Sequence, residues 1–476
     1  MTVRLGAEEE FHVLDVESGR LVPRAAELLG RFDRPGLTSE LQRSVVESNS
    51  GVHDTLDGLW TDLASTRRRL DAAASAAGLA VVAAGTVPLA GLGSRDVTAD
   101  PRYQRMADDY RRVADEQLIC SAQIHVDVPD RDTAVRAMCL VSPWLPPLLA
   151  LSASSPFWLG TDTGYASWRT MLWQRWPTAG PAGCHRDAAD YDEAVAELIR
   201  SGVISDAGMI YHDVRPSAHQ NTLELRICDA CPRVETVVLV AGLFRALVRQ
   251  ACEHLEHADG PVCDGRHDWL RAAAWRAARS GLEGHLVDPV TRYGAPAPDV
   301  LTGMLARLRP ALEAAGDWET VHGLLEEALA DGTAAHRLRR AAQADDLLAS
   351  VDLMVAETRG ERPASRPAAG RRPATARLDA LAAHPSPGRP PPRPRAPDQT
   401  APPATGGRAG RVAETAGHRR PNKECDQLML IPQDPPTPEH PSPERPARTG
   451  PPGRQLRRNG RTARTVRSAA REKGIL

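Results

Sequence analysis

Lysine is almost absent from this sequence. The 476 residues contain two lysines, Lys423 and Lys473, and both lie beyond residue 420. Residues 1–360 therefore cannot supply the lysine of a P-loop, the strand lysine of a protein kinase or the amine of a Schiff base. Any phosphate handled by this part of the chain must be met by arginine, by backbone N–H groups or by metal ions.

The sequence also has no second CxxC motif, and no secretory leader is expected at its start. The eight cysteines are scattered, and Cys228 and Cys231 form one CxxC without a second pair. Buried free thiols are therefore favoured over a zinc site. Arg4 and the three glutamates at 8–10 interrupt any apolar start, so no secretory signal is predicted. These features predict a reduced, cytoplasmic protein.

Charge is absent from residues 137–161, a run long enough to cross a membrane. The run contains four prolines, at 143, 146, 147 and 156, and five serines and threonines. Proline inside a lipid-facing helix breaks backbone hydrogen bonds that no water can replace. We therefore expect a buried, broken helix in a large core and no contact with a membrane.

Charge is also unevenly divided along the chain. Residues 361–476 carry 23 Arg and Lys against 10 Asp and Glu and hold 22 of the 40 prolines, whereas residues 1–360 have a net charge of −15. This composition predicts one folded domain at 1–358 and a disordered Pro/Arg-rich tail at 359–476. The tail has no Phe, Tyr or Trp to stack on bases, which argues against specific nucleic-acid binding.

Helical periodicity and strict alternation are both present in the first 360 residues. Helices are predicted at 56–78, 103–116 and 234–257, and several more between 269 and 356. Alternation predicts strands at 6–13, 44–49, 122–128 and 222–227, each with an apolar face to bury under helices. Strands mixed with many helices, without a βαβ rhythm, predict an α+β fold with an antiparallel sheet.

The opposite faces of these strands are polar and carry Glu8, Glu10, Glu47, Glu224 and His125. One interpretation is that each is an ordinary strand with a solvated outer face. However, carboxylates on neighbouring strands repel each other at close range unless cations lie between them. Oxygen ligands with an occasional histidine suit Mg²⁺ or Mn²⁺, which would let a lysine-free body bind ATP.

Three arginines lie near these strands in the sequence. Arg226 shares the polar face of the fourth strand, Arg215 comes shortly before that strand, and Arg169 follows a turn-rich loop. Each alone is ordinarily a surface or ion-pair residue. Beside the carboxylates, an arginine would be a bidentate partner for phosphate or for a substrate carboxylate.

Seven segments, in this order, resemble the carboxylate–amine ligases of the glutamate–cysteine ligase type 2 family. They cover about residues 1–355 and read GAEEEFHVLD, SELQRSVVESNSGVH, RYQR, SAQIHV, LSASSPFWLGTDTGYASWR, DVRPSAHQNTLELRICDA and RSGLEG. The resemblance implies an ATP- and Mg²⁺-dependent ligase. It also implies a curved antiparallel sheet with helices on one face, related to glutamine synthetase and the guanidino kinases.

The resemblance also implies roles for individual residues. By it, Glu8, Glu10, Glu47 and Glu224 bind metal ions, and His125 lies on the metal or phosphate side. Arg215 and Arg226 resemble the family's phosphate or acyl-phosphate contacts, and Arg169 resembles an arginine that binds a carboxylate or the nucleotide.

Three positions depart from the family pattern. Glu9 replaces an apolar residue on the side of the strand that should be buried, Val87 replaces a histidine, and Asp127 replaces the second histidine of a His-x-His pair. These changes leave the predicted metal ligands intact, but the resemblance then does not fix the identity of the substrate.

The expected reaction joins a carboxylate, such as the γ-carboxylate of glutamate, to an amine such as cysteine through an acyl phosphate. The expected partners are a small acid and a small amine, and a homo-oligomer is left open. Two other functions also stay open. One is a phosphotransferase of the guanidino-kinase type, and the other is a non-catalytic protein that binds an acidic partner or nucleic acid through its basic tail.

Overall fold

The computed structural model describes residues 3–32, 36–91, 96–258, 260, 262–263, 265–342 and 346–362. The predicted disordered tail lies outside the described residues apart from 359–362. The boundary predicted at residue 358 therefore stays a prediction. All positions predicted to form the functional site are within the described part of the chain.

An antiparallel sheet lies at the centre of the molecule. Seven strands form it in the order β2-β3-β1-β5-β9-β8, with β4 pairing the second half of β1. Two separate hairpins, β6-β7 and β10-β11, complete the strands of the described residues. The strands are β1 (Leu5–Asp15), β2 (Leu37–Ser39), β3 (Val45–Asn49), β4 (Leu79–Val82), β5 (Ala122–Asp127), β6 (Phe157–Trp158), β7 (Thr161–Asp162), β8 (Val214–Pro216), β9 (Thr222–Leu225), β10 (His285–Val287) and β11 (Gly294–Pro296). The four strands predicted from alternation are confirmed as β1, β3, β5 and β9, and so is the α+β class.

Fourteen α-helices surround this sheet in the described residues, and several begin at a side-chain cap. Thr55, Asp100 and Asp130 each accept a hydrogen bond from a backbone N–H in the first turn of the helix that follows. The helices are α1 (Ala25–Leu29), α2 (Leu56–Ser75), α3 (Pro101–Tyr110), α4 (Arg112–Asp115), α5 (Arg131–Val141), α6 (Leu145–Ser152), α7 (Trp168–Trp173), α8 (Ala188–Arg200), α9 (Val234–Leu255), α10 (Asp268–Ser280), α11 (Ala297–Ala315), α12 (Trp318–Asp331), α13 (Ala334–Ala341) and α14 (Leu347–Thr358).

The core lies between the apolar face of the sheet and helices α2, α5 and α9. Phe11, Ile124 and Leu223 are buried on that face, and α9 is buried along most of its length. Gly242 allows the closest helix contact, because a Cβ there would lie 2.5 Å from Val321 Cγ2 and 2.9 Å from Leu56 Cδ1. A glycine in mid-helix therefore lets α2 and α12 pack tightly against α9.

The uncharged run at 137–161 is a buried, broken helix, as predicted. Helix α5 ends at Val141, a 3₁₀ turn covers residues 142–144, and α6 continues to Ser152. In the described residues, Arg131–Ser152 is the one helical segment long and apolar enough to span a membrane. It is 78% buried within the protein, as expected for a core helix.

Glu9 is buried on the apolar side of the sheet, and an ion pair with Arg67 explains how its charge is accommodated there. The carboxylate pairs with Arg67 of α2, whose Nε lies 3.2 Å from Glu9 Oε2. Arg67 also donates to the backbone carbonyls of Cys231 and Pro232. A buried charge is tolerated when it is paired and hydrogen-bonded in this way. The thiols of Cys228 and Cys231 are free and buried, as expected for this single CxxC.

Candidate functional site

Strand register brings the predicted polar residues onto one face of the sheet. Glu10 of β1 lies opposite Glu47 of β3, and His125 of β5 lies opposite Glu224 of β9. Glu224 also lies opposite Arg215 of β8. Directly opposed residues in a sheet point to the same side, so these side chains meet over the centre of the sheet. The alternation in the sequence predicted this face for the glutamates and His125, and the register confirms it, whereas Arg215 was not part of that pattern.

This face forms the floor of a cavity of about 210 Å³. Glu8, Glu10 and Glu47 come from β1 and β3 on one side of β5, whereas Arg215 and Arg226 come from β8 and the end of β9 on its other side. Tyr103, Trp173, Trp176 and Tyr211 add aromatic rings to the lining. The charged lining residues are Glu8, Glu10, Glu40, Glu47, Arg102, Arg215 and Arg226. In such a cavity the carboxylates can bind metal ions, and the guanidinium groups can bind anionic groups of a ligand.

Glu10 and Glu47 are the most perturbed acids of the carboxylate side. Desolvation, followed by repulsion from Glu40, raises the pKa of Glu10 to about 7, although Ser121 donates to it from both its N and Oγ at 2.8 Å. Desolvation and repulsion from Glu40, Glu8 and Glu10 raise the pKa of Glu47 well above its ordinary value. These carboxylates are therefore crowded together with too little positive charge beside them.

A second set of ligand atoms lies next to this one. One oxygen each of Glu8 and Glu224 and one ring nitrogen of His125 lie within 4.8 Å of one another. His125 Nε2 is 3.2 Å from Glu8 Oε1, and its Nδ1 is 3.2 Å from Thr222 Oγ1. Burial lowers the pKa of His125, but the neighbouring carboxylates of Glu8 and Glu224 outweigh it and raise this pKa overall.

Glu224 differs from the other acids because two arginines hold it. Arg215 binds it in bidentate fashion, with Nε 2.8 Å from Oε2 and Nη2 3.1 Å from Oε1, and Arg226 Nη1 also donates to Oε1. Burial raises the pKa of Glu224, but Arg226 and Arg215 outweigh burial, so this pKa lies well below its ordinary range. Both arginines line the cavity.

Arg169 lies beneath the cavity, away from its lining. Its guanidinium donates to the carbonyl oxygens of Ile227 and Arg226, at 3.1 and 3.2 Å, and lies 3.9 Å from the buried Asp229. The side chain is 3% exposed. Arg169 is not among the residues that line the cavity, and its Nε has no hydrogen-bond partner among the described residues, so the expected contact of Arg169 with substrate stays a prediction.

Several residues that line the cavity were not predicted from the sequence. Glu40 lies in the loop between β2 and β3, where no periodicity assigns a side chain to a face. Arg102 and Tyr103 come from the start of α3, and Arg102 is held by Asp206 at 3.0 Å. The sequence feature that could have identified these residues is the family resemblance, because SELQR and RYQR belong to the segments that carry it. Alternation does not extend to these segments.

Two of the departures from the family pattern lie away from the cavity. Val87 is fully buried in a small apolar cluster beneath α14. Asp127 pairs with Arg4 at 2.7 Å near the end of β5. Neither lines the cavity. The lining charges are therefore unchanged by these substitutions.

Comparison with known sequences agrees with this geometry. The family model of glutamate–cysteine ligase family 2 (GCS2) matches residues 4–357, which include every strand of the central sheet. The chain belongs to glutamate–cysteine ligase family 2. The GCS2 match also spans all the charged residues that line the cavity.

Relatives of this GCS2 chain carry provisional names of the same kind. A protein of Frankia casuarinae, provisionally named glutamate–cysteine ligase 2-2, is 55% identical over 382 residues, which is 80% of this chain and 44% of the relative. A protein of Mycolicibacterium smegmatis with the same provisional name is 51% identical over 356 residues, or 74% of this chain and 89% of the relative. The chain thus spans less than half the length of the Frankia protein.

Solved structures show the same fold at low sequence identity. A glutamate–cysteine ligase from Francisella tularensis in complex with AMP superposes with a TM-score of 0.59 at 11% identity, covering 78% of this chain and 91% of that one. A bifunctional glutathione synthetase from Pasteurella multocida gives 0.58 at 16% identity, covering 75% of this chain and 52% of that one.

Proposed function

We propose that this GCS2 protein is an ATP-dependent ligase that joins a carboxylate to an amine. The observation that carries the proposal is the cavity of about 210 Å³ over the sheet, which is lined by Glu8, Glu10 and Glu47 from β1 and β3 and by Arg215 and Arg226 from β8 and the end of β9. The GCS2 match, the names of the relatives and the AMP complex of the Francisella ligase support it. The kinship of the sheet with glutamine synthetase and the guanidino kinases is part of the same proposal.

The carboxylate side fits Mg²⁺ or Mn²⁺. Crowded glutamates whose pKa values are raised by desolvation and mutual repulsion are a hard oxygen-donor set whose charge a divalent cation would balance. Glu8, Glu10, Glu47, His125 and Glu224 would hold the ions. When bound, the ions would neutralise charge on the phosphates of ATP.

The guanidinium side would hold the transferred phosphate. Arg215 and Arg226 are anchored to Glu224, and Nη1 of Arg215 also donates to the carbonyls of Gly208 and Ile210, which fixes the two guanidinium groups where they line the cavity. Planar guanidinium groups match phosphate oxygens in bidentate geometry. Glu224 would therefore orient the arginines as well as contribute a ligand atom. Arg169 would act indirectly, by fixing the backbone at Arg226 and Ile227.

In the proposed reaction, an oxygen of the substrate carboxylate attacks the γ-phosphorus of ATP. The bond to the β–γ bridging oxygen breaks, giving an acyl phosphate and ADP. The amine nitrogen then attacks the acyl carbon and phosphate leaves, while the nitrogen loses its proton to give an amide. The chain contributes mainly orientation and charge neutralisation. Glutamate as the acid, cysteine as the amine and a cytoplasmic location complete the proposal.

Phosphate release in the presence and absence of amine tests this function. Purified protein with MgATP would be incubated with glutamate and a panel of amino acids and amines, and phosphate, ADP and amide products would be quantified. A ligase requires both substrates and forms phosphate and amide in equal amounts. A stable phosphorylated acceptor formed without amine would instead show a guanidino-kinase-type phosphotransferase. Absence of any MgATP-dependent product across the panel would overturn the assignment.

A further inference from the structure

A cluster of three cysteines and one histidine lies between α5 and the segments that precede α8 and α10. Cys139 belongs to α5, Cys184 precedes α8, and Cys263 and His267 lie in the connection between α9 and α10. Their side-chain ligand atoms all lie within 4.8 Å of one another. The Cys263 Sγ atom is 2.8 Å from Cys139 Sγ and 3.0 Å from Cys184 Sγ, and His267 Nε2 is 3.5 Å from Cys184 Sγ.

We propose that these four residues form a structural zinc site. Three thiolates and one imidazole are a complete tetrahedral donor set for Zn²⁺. With Zn–S near 2.3 Å and Zn–N near 2.0 Å, the edges of such a tetrahedron are about 3.5–3.8 Å. The 3.5 and 3.9 Å distances from His267 Nε2 to Cys184 and Cys139 match these edges. The sulfur pairs at 2.8 and 3.0 Å would move apart to about 3.8 Å around an ion.

The orientation of His267 supports a metal ligand independently of the thiols. Its Nδ1 lies 3.2 Å from the carbonyl oxygen of Ala182, so Nδ1–H donates there and the lone pair of Nε2 faces the sulfurs. A ligating histidine is ordinarily oriented in this way, by a hydrogen bond from its other ring nitrogen. A disulfide between two of the cysteines would leave the third thiol and this imidazole without a role.

An ion at this site would stabilise the fold and would take no part in the reaction. Four protein ligands leave no open position, and none of the four residues lines the cavity. Cys184 follows a segment in which Trp176 lines the cavity, Thr178 donates to Met209 O and Gly180 bridges His212. An ion would thus tie this segment to α5 and to the start of α10. The inference does not depend on the proposed ligase activity.

Metal analysis of the full-length chain, purified without chelator, is the direct test. We expect about one equivalent of zinc per chain, with three thiols unreactive toward a thiol reagent until the metal is removed. Cobalt substitution should give the thiolate charge-transfer band and intense visible bands of a tetrahedral site. Reduced protein that retains no zinc and gives no thiolate–cobalt band would overturn the proposal, as would an intact mass two hydrogens low from a disulfide within the cluster.

Variants distinguish metal bound by the cysteine cluster from metal bound by the glutamates of the cavity, which cannot give a thiolate–cobalt band. Cys263→Ser should lose the zinc and the cobalt charge-transfer band, whereas the control Cys252→Ser, on α9 outside the cluster, should keep both. His267→Cys should retain zinc as a four-thiolate site with an altered cobalt spectrum, which guards against a variant that merely unfolds. Zinc retained unchanged by Cys263→Ser would contradict the proposal.

Discussion

Glu10 is the acid for which position, environment and proposed role can be tested together. It lies on the floor of the cavity opposite Glu47 and receives two hydrogen bonds from Ser121. We expect Glu10→Gln to reduce MgATP-dependent product formation by more than about 100-fold, because losing a direct ligand should exceed the 10–100-fold cost of losing a supporting one. The control is Glu17→Gln, in an exposed turn after β1, measured in the same assay. Near-normal activity of Glu10→Gln would refute the site.

The raised pKa of Glu10 also predicts how stability depends on pH without metal. Because this pKa is about 7 in the folded chain and 4.5 in the reference state, the folded state binds the extra proton between these values. The free energy of unfolding should therefore fall as pH rises from about 4.5 to 7, by up to about 1.4 kcal/mol per pH unit for each such group. Urea unfolding in chelator from pH 5 to 8 measures it.

Glu10→Gln should have a shallower decline than the wild type in this series. Part of the decline should remain, because desolvation also raises the pKa of Asp213 to about 7. An identical slope in both proteins would show that Glu10 keeps an ordinary pKa.

Individual residues were predictable where a strand set their direction. Glu8, Glu10, Glu47, His125 and Glu224 alternate with apolar neighbours, so their common face followed from a two-residue period. Arg169 was not predictable in this way, because its partners are carbonyl groups of a segment almost 60 residues away. Glu40 was missed for a related reason, since loops have no period.

At the scale of elements, one buried ion pair joins β1 to α2. Replacing Arg67 with Met would leave Glu9 charged and unpaired in the core, and we expect a loss of about 3–5 kcal/mol in the free energy of unfolding. Adding Glu9→Leu should recover part of this loss. The remainder reflects the carbonyls of Cys231 and Pro232, which lose their donor. Urea unfolding of the two variants measures both, and equal stabilities would contradict the pairing.

The longer elements followed from the sequence, and the shorter ones did not. Helices α2 and α9 and strands β1, β3, β5 and β9 have enough residues for a periodic pattern. Strands β2 and β8 have three residues each, and β4 reads LAVV, an unbroken apolar run without alternation. The proposed zinc ligands were also not predictable from the sequence, because Cys139, Cys184 and Cys263 are far apart in the chain and come together only in the folded structure.

At the scale of the whole molecule, the residues after 362 can be tested by removal. Arg359 pairs with Asp71, and Arg362 contacts Glu235 and Glu327, so a chain ending at Arg362 keeps these contacts. We expect this 1–362 chain to keep its thermal stability and MgATP-dependent activity to within about 2-fold, because the GCS2 match ends at residue 357. Loss of activity, with salt-sensitive nucleic-acid binding only in the full chain, would favour the tail as the working part.

The position of β1 has a consequence for how the protein is made. This strand precedes all its partners in the chain, yet it lies in the middle of the sheet, and β8 and β9 join on the far side of β5 only after residue 213. During synthesis, more than a hundred further residues must therefore leave the ribosome after β1 before β5 is available to pair with it. Such long sequence separations slow folding, so the nascent chain should depend on protection from aggregation until late in translation.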